Sequence, residues 1–228
     1  MVFVGSSLAD DVVRVVAELD ARGLNRGSTG NCSTKWDAEM FLITPSGIAS
    51  RDVTRESLVK VRYDETGESV ESQMYNQRYR ASSEWRFHRD IYRSRADVSA
   101  VVHVHSTYAT SLACTGRGIP AFHYMIAIAG GDDVRCARYA TYGTQELSDN
   151  VINALDGRRA CLIENHGMLA IGRSLSDALA TAVEVESLAE QYAISLLLGG
   201  PRILSDKEMA SVQTKFAAYR RLGEQEQS

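Results

Sequence analysis

Val98-Ser99-Ala100-Val101-Val102-His103-Val104-His105 is the stretch whose reading decides the fold. It is apolar enough for a buried strand, and it ends in two histidines two positions apart. Side chains at that spacing on a strand point to one face. His103 and His105 therefore project together, while Val102 and Val104 face the opposite layer. Just upstream, Ser82 to Arg95 reads as a helix. Downstream, Ala160 to Ile163 and Met168 to Ile171 read as strands flanking the turn Asn165-His166-Gly167.

Working outward, Ser7 and Asp10 have the spacing of a capping box. Leu8, Val12, Val15, Val16 and Leu19 follow at helical intervals, and Gly23 ends the pattern. Met40 to Thr44 is β-like, among the turn glycines Gly27, Gly30 and Gly47. A Gly/Asp-rich stretch, Gly130 to Asp133, leads to a helix from Thr144 to Leu155. The longest helix starts at a Ser174/Asp177 cap and stops at Gly199-Gly200-Pro201, and a last one begins at Ser205/Glu208. This alternation of helices and strands, without repeats or a linker, predicts a single α/β domain. Hairpin-like pairs among crossover helices predict a mixed sheet.

The bounds agree. The chain has 228 residues, 44% hydrophobic and 24% charged, enough for one sizeable core. A net charge of −4 without a Lys/Arg stripe argues against a nucleic-acid partner. No apolar run approaches the ~20 residues of a membrane helix. Met1 to Asp10 shows no secretory signal. Cys32, Cys114, Cys136 and Cys161 are scattered, as expected of free thiols in a reducing cytoplasm.

Two constellations carry chemistry. His103 and His105 alone leave two readings open, a metal pair or two half-buried, hydrogen-bonded rings. His166 lies in a tight turn that could aim it into a cleft. Three histidines and a carboxylate suit Zn²⁺, which takes imidazole nitrogen and carboxylate oxygen at ~2.0–2.2 Å. Ligation without thiolate is the pattern of catalytic zinc. The second constellation favours anions: Gly27-Ser28-Thr29-Gly30-Asn31, Thr44-Pro45-Ser46-Gly47, and Ser82-Ser83-Glu84 at a helix start. Each alone reads as an ordinary turn or cap; three together suggest a phosphorylated ligand.

Gly30-Asn31-Cys32-Ser33, Thr44-Pro45-Ser46-Gly47, Ser82-Ser83-Glu84-Trp85-Arg86-Phe87-His88, Val102-His103-Val104-His105 and Asn165-His166-Gly167 together resemble the class II aldolase/adducin family. The likeness runs from about Asp10 to the C-terminal helix. Ile119 to Ile126, Ala129-Gly130-Gly131 and Tyr139 to Thr144 extend it toward members that cleave L-fuculose 1-phosphate.

The resemblance implies a three-layer α/β/α subunit with a central mixed, mainly antiparallel sheet. It implies one domain over residues 1–228, whose C-terminal helix and tail, from about 205, close over the active site. Four subunits would form a homotetramer of C4 symmetry with active sites between neighbours. One Zn²⁺ per subunit would sit on His103, His105, His166 and, at rest, Glu84. Gly30, Asn31, Ser46, Gly47, Ser82 and Ser83 would hold phosphate. Glu84 would serve as ligand and base, and Tyr124 as proton donor in the neighbour's site. Ser28 and Tyr142 would line the pocket, with Phe216 and Tyr219 in the closing tail.

The implied reaction is reversible cleavage of a ketose 1-phosphate, L-fuculose 1-phosphate first, to dihydroxyacetone phosphate and L-lactaldehyde. No lysine Schiff base is needed: Lys35, Lys60, Lys207 and Lys215 all lie outside the cradle motifs. Ser46 departs from the family's usual threonine and Tyr142 from its phenylalanine, and Glu164-Asn165 replace a more neutral or His-containing pair. Three alternatives compete. An aldolase for 5-deoxypentulose 1-phosphates would differ only at the aldehyde end. A pentulose-phosphate 4-epimerase would carry an aspartate in the segment matching His123 to Ala129, where this chain has none before Asp132. An adducin-type binding module would have lost ligands that are all present here.

Overall fold

The computed structural model describes residues 7–67 and 79–225, with side chains to residue 216. Its strands are β1 (Asn31–Lys35), β2 (Met40–Ile43), β3 (Val59–Arg62), β4 (Ala100–Val104), β5 (Arg135–Ala137), β6 (Ala160–Ile163) and β7 (Gly167–Gly172). They form one sheet in the order β3-β2-β1-β4-β7-β6-β5. The pairings are antiparallel except β5 with β6, which run parallel. The expected mixed, mainly antiparallel sheet is what forms.

β4 is the middle strand, paired to β1 on one edge and β7 on the other. All five of its residues are wholly buried. Its alternation divides the core as the sequence predicts. Val102 and Val104 join the apolar layer built with helices α1 (Leu8–Ala21), α3 (Thr107–Ala113) and α5 (Leu175–Leu197). Val101 joins the opposite layer, with α2 (Trp85–Ser94) and α4 (Gln145–Ala154). A last helix, α6 (Asp206–Gln225), packs against the 3-10 turn Tyr124–Ala129.

The helix starts follow their caps. Ser7 Oγ accepts from the Asp10 amide, and Asp10 accepts from the Ser7 amide at 3.1 Å. Val12, Val15, Val16 and Leu19 of α1 are buried, each worth roughly 1.5–3 kcal/mol. Ser174 and Ser205 make the equivalent bonds to the amides of Asp177 and Glu208.

Two boundaries shift from the sequence reading. The helix expected from Ser82 begins at Trp85, because Ser82 O closes a turn on the Trp85 amide and leaves Glu84 at the N-cap. The strand expected over Val98 to His105 is shorter, and His105 stands just beyond its end.

α3 starts immediately after His105 and has no cap of its own, since Ser106 makes no side-chain cap bond. Glu186 of α5 takes the role. Its carboxylate accepts from Ser106 Oγ at 2.6 Å and from the amides of Tyr108 and Ala109 at 2.8 and 2.9 Å. Among the described residues no helix is long and apolar enough to cross a membrane. Glu186→Ala leaves three donors without an acceptor and should cost about 2 kcal/mol in urea unfolding. Glu186→Gln keeps one acceptor oxygen and should cost less.

Candidate active site

Three elements deliver the histidines: β4 carries His103, its extension carries His105, and the β6–β7 turn carries His166. That turn is unusual. Asn165 adopts φ 51°, the one positive φ outside glycine among the described residues, and asparagine tolerates that region better than most. Gly167 follows, and a Cβ there would lie 2.5 Å from Val104 O and 2.9 Å from His105 Cδ2. The bare backbone lets the turn close onto the other two rings. Their centroids stand 4.8–4.9 Å apart, and one nitrogen from each lies within 4.8 Å of the others.

His103 Nδ1 lies 2.9 Å from Met168 O. A carbonyl only accepts, so Nδ1 carries the proton and Nε2 keeps its lone pair. That Nε2 points into the cluster, 2.9 Å from His105 Nε2 and 3.3 Å from Glu84 Oε2. Burial pulls His103 down to about 3 and lowers His105 as well, so both rings are neutral at physiological pH. Neutral imidazoles with converging lone pairs are the metal-ligating form. A divalent ion at ~2.0–2.1 Å from each nitrogen fits this spacing. The histidine cluster anticipated from sequence is therefore formed, and its donor set suits a metal.

Glu84 sits at the N-cap of α2 but makes no cap bond with its side chain. The carboxylate turns instead toward the histidines. Asn31 Nδ2 donates to Oε2 at 2.8 Å, while Oε1 lies 2.9 Å from His166 Nε2 without hydrogen-bond geometry to it. Burial works to raise this carboxyl. The His103 and His166 rings and the Asn31 amide outweigh it and hold the group below the ordinary carboxylate range. A buried oxygen lacking a hydrogen bond beside an imidazole nitrogen is what a shared ion would occupy.

Glu84, His105 and His166 line one end of a cleft of about 480 Å³. Ser28, Gly30, Asn31, Ser46, Gly47, Ser82, Ser83 and Tyr142 line the same cleft. The three anion-friendly turns are thus brought together. Backbone bonds tie two of them: the Ser46 amide donates to Arg80 O, and the Ser82 amide to Thr44 O. The amides of Gly47 and Ser83 make no bond within the chain among the described residues, so both are available to an anion. Gly30 is hemmed in, since a Cβ there would lie 2.6 Å from His103 O.

Thr29, from the first anion-favouring turn, lines the cleft too, as do Tyr139 and Asn165, to which the sequence reading gave no role of their own. Tyr139 is placed by Glu164, which accepts from its amide at 3.0 Å. The sequence reading likewise missed His88, wholly buried beneath Asn31, with its ring nitrogens at 2.5 Å from Asn31 Oδ1 and 2.6 Å from Ser33 Oγ. Its only signal was its place in the Ser82-to-His88 motif.

Tyr124 and Phe216 do not line the cleft of their own chain. They meet elsewhere, ring centroids 6.5 Å apart, along an apolar groove beside α6, and Tyr124 is half exposed. Tyr219 belongs to α6, but its side chain lies outside the described residues, as do residues 226–228 of the expected tail.

Residues 10–193 match the family model described as Class II Aldolase and Adducin N-terminal domain. A 5-methylthioribulose-1-phosphate/5-deoxyribulose-1-phosphate aldolase from Rhodospirillum rubrum is 46% identical over 93% of this chain and 92% of its own length. An L-fuculose phosphate aldolase from Escherichia coli is 42% identical over 94% and 96% respectively. A solved structure of an L-fuculose 1-phosphate aldolase superposes with a TM-score of 0.84 at 39% identity, over 93% of this chain and 97% of that one. The family model over residues 10–193 and these relatives place the chain in the class II aldolase and adducin family.

Proposed function

We propose that this chain, a class II aldolase, reversibly cleaves a ketose 1-phosphate to dihydroxyacetone phosphate and a short aldehyde. One observation carries the reading. A single cleft is lined by His105, His166 and Glu84, with the buried His103 completing their cluster, and also by glycines, serines and free amides suited to a phosphate. His103, His105, His166 and Glu84 would hold the ion, which we take to be zinc. When bound, that ion supplies Lewis acidity toward the oxygens next to the bond that breaks.

The protein's residues do the rest. Gly30, Asn31, Ser46, Gly47, Ser82 and Ser83 fix the phosphate, and with it the distance from C1 to the reacting carbons. In condensation Glu84 removes a proton from the hydroxymethyl carbon of dihydroxyacetone phosphate; in cleavage it returns that proton to C3. Ionised at rest and flanked by imidazoles, it is in the state a base requires.

Tyr124 is exposed and directed away from its own cleft. That placement supports the reading that it protonates the aldehyde alkoxide in a neighbouring subunit of a homotetramer. Phe216 and Tyr219 would belong to the tail of the same single domain, closing over that neighbour's site. The four free thiols support a reducing cytoplasm as the compartment.

The aldehyde end has two readings. L-fuculose 1-phosphate is favoured by the motif set, and a 5-deoxypentulose 1-phosphate by the name of the Rhodospirillum rubrum relative. Ser28, Tyr139 and the exposed Tyr142 line the same cleft, and on this reading they would bound the aldehyde end where the two substrates differ.

A coupled assay for dihydroxyacetone phosphate on both substrates should show release from at least one, and the preferred one is read from kcat/KM. Glu84→Gln should lower kcat by about 10²–10⁴-fold; near-normal turnover would remove Glu84 as the base. Dialysis against a chelator should abolish cleavage and added zinc restore it, while activity that survives complete metal removal would overturn the metal assignment.

A further inference from the structure

Asn31 lies between Glu84 and His88, and chemistry fixes the direction of every hydrogen bond along that line. An ionised carboxylate only accepts, so the Asn31 atom 2.8 Å from Glu84 Oε2 has to be the amide nitrogen. Asn31 Oδ1 then faces His88 Nε2 at 2.5 Å, and because an amide oxygen only accepts, Nε2 bears the ring proton. His88 Nδ1, left with a lone pair, accepts from the Ser33 hydroxyl at 2.6 Å. The Ser33 oxygen in turn accepts from Tyr92 O–H at 2.7 Å.

The chain Tyr92–Ser33–His88–Asn31–Glu84 thus has one polarity throughout. All five residues are buried, Ser33 and His88 completely, and Phe87 stacks on the His88 ring at 4.7 Å. With His88 removed, Asn31 Oδ1 loses its donor and the amide is held by the Glu84 carboxylate alone. A buried amide oxygen without a donor drives the Asn31 side chain to swing off this line toward another partner, and Glu84 Oε2 then loses its anchor.

We infer that His88 is a positioning residue: by fixing which way the Asn31 amide points, it anchors Glu84 Oε2 and leaves Oε1 as the oxygen turned to the ion and substrate. Ser33 and Tyr92 fix the tautomer of His88 and so complete the device. The inference deepens the aldolase reading above and rests on it for the role of Glu84. A merely structural reading makes His88 a satisfied core histidine, whose loss would lower stability and leave the site unchanged.

The test compares His88→Leu with His88→Gln, whose amide nitrogen and oxygen replace Nε2 and Nδ1 as donor and acceptor. Zinc affinity is measured by competition with a chromophoric chelator, and kcat and KM with the substrate that wild type cleaves. His88→Leu should lose about tenfold to a hundredfold in zinc affinity and in kcat, with KM little changed, and His88→Gln should recover most of both. A folded His88→Leu with wild-type zinc affinity and kcat overturns the inference, as does His88→Gln failing to improve on Leu. If His88→Leu does not fold, Ser33→Ala replaces it, with a smaller loss of the same kind expected and no loss overturning the inference. A wild type that binds zinc but releases no dihydroxyacetone phosphate defeats the aldolase reading instead, and zinc affinity still decides the positioning role.

Discussion

A histidine with no exposed atom cannot leave a ring nitrogen idle, because an unpaired buried polar group costs on the order of 1–3 kcal/mol. His103 spends Nδ1 on the Met168 carbonyl of the adjoining strand. Much of the site depends on that bond. It locks β4 to β7 where His166 leaves its turn, and it sets the ring tautomer. It also leaves Nε2 facing the other two imidazoles and Glu84. Gly167 is then obligatory, since a side chain there would press on the very strand the bond holds close.

In the proposed reading the two parts of the cleft would recognise negative charge differently. No lysine or arginine lines it among the described residues. A phosphate bound there, as proposed, would meet glycine and serine groups, free amides and the N-terminus of α2, all fixed dipoles. Arg86 of α2 is committed to the carbonyls of Gly143 and Gly67. Full positive charge would come from an ion on the histidines, so the charge proposed to drive chemistry and the dipoles proposed to hold the phosphate are kept apart.

The sequence made the periodic and local parts legible. Capping serines followed three residues later by Asp or Glu marked α1, α5 and α6, and the strict alternation of β4 told which valines face which layer. The histidine pair was readable because strand geometry alone aligns His103 with His105. What stayed hidden depends on groups far apart in the chain. Glu186 caps α3 from about eighty residues away, and only the folded packing of α5 on α3 shows it. The short parallel pairing of β5 lacked any apolar run to announce it. Glu84 looked like the first turn of a helix, and only the turn closed by Ser82 placed it at the N-cap with its carboxylate free for the histidines. His88 was visible as a motif letter and silent as a function, because its work lies in bonds to Asn31 and Ser33, more than fifty residues distant.

Those separations set an order of events. The bond from Asn31 to Glu84 spans 53 positions and that from His103 to Met168 spans 65. β1, β4 and β7 must all have left the ribosome and paired before three imidazoles and a carboxylate share one small space. A chain halted before His166 carries two of the three cluster histidines and all three anion-friendly turns, but cannot assemble the cluster. An ion held by the three histidines would therefore be a late arrival at a finished sheet, and its occupancy would report on completed synthesis.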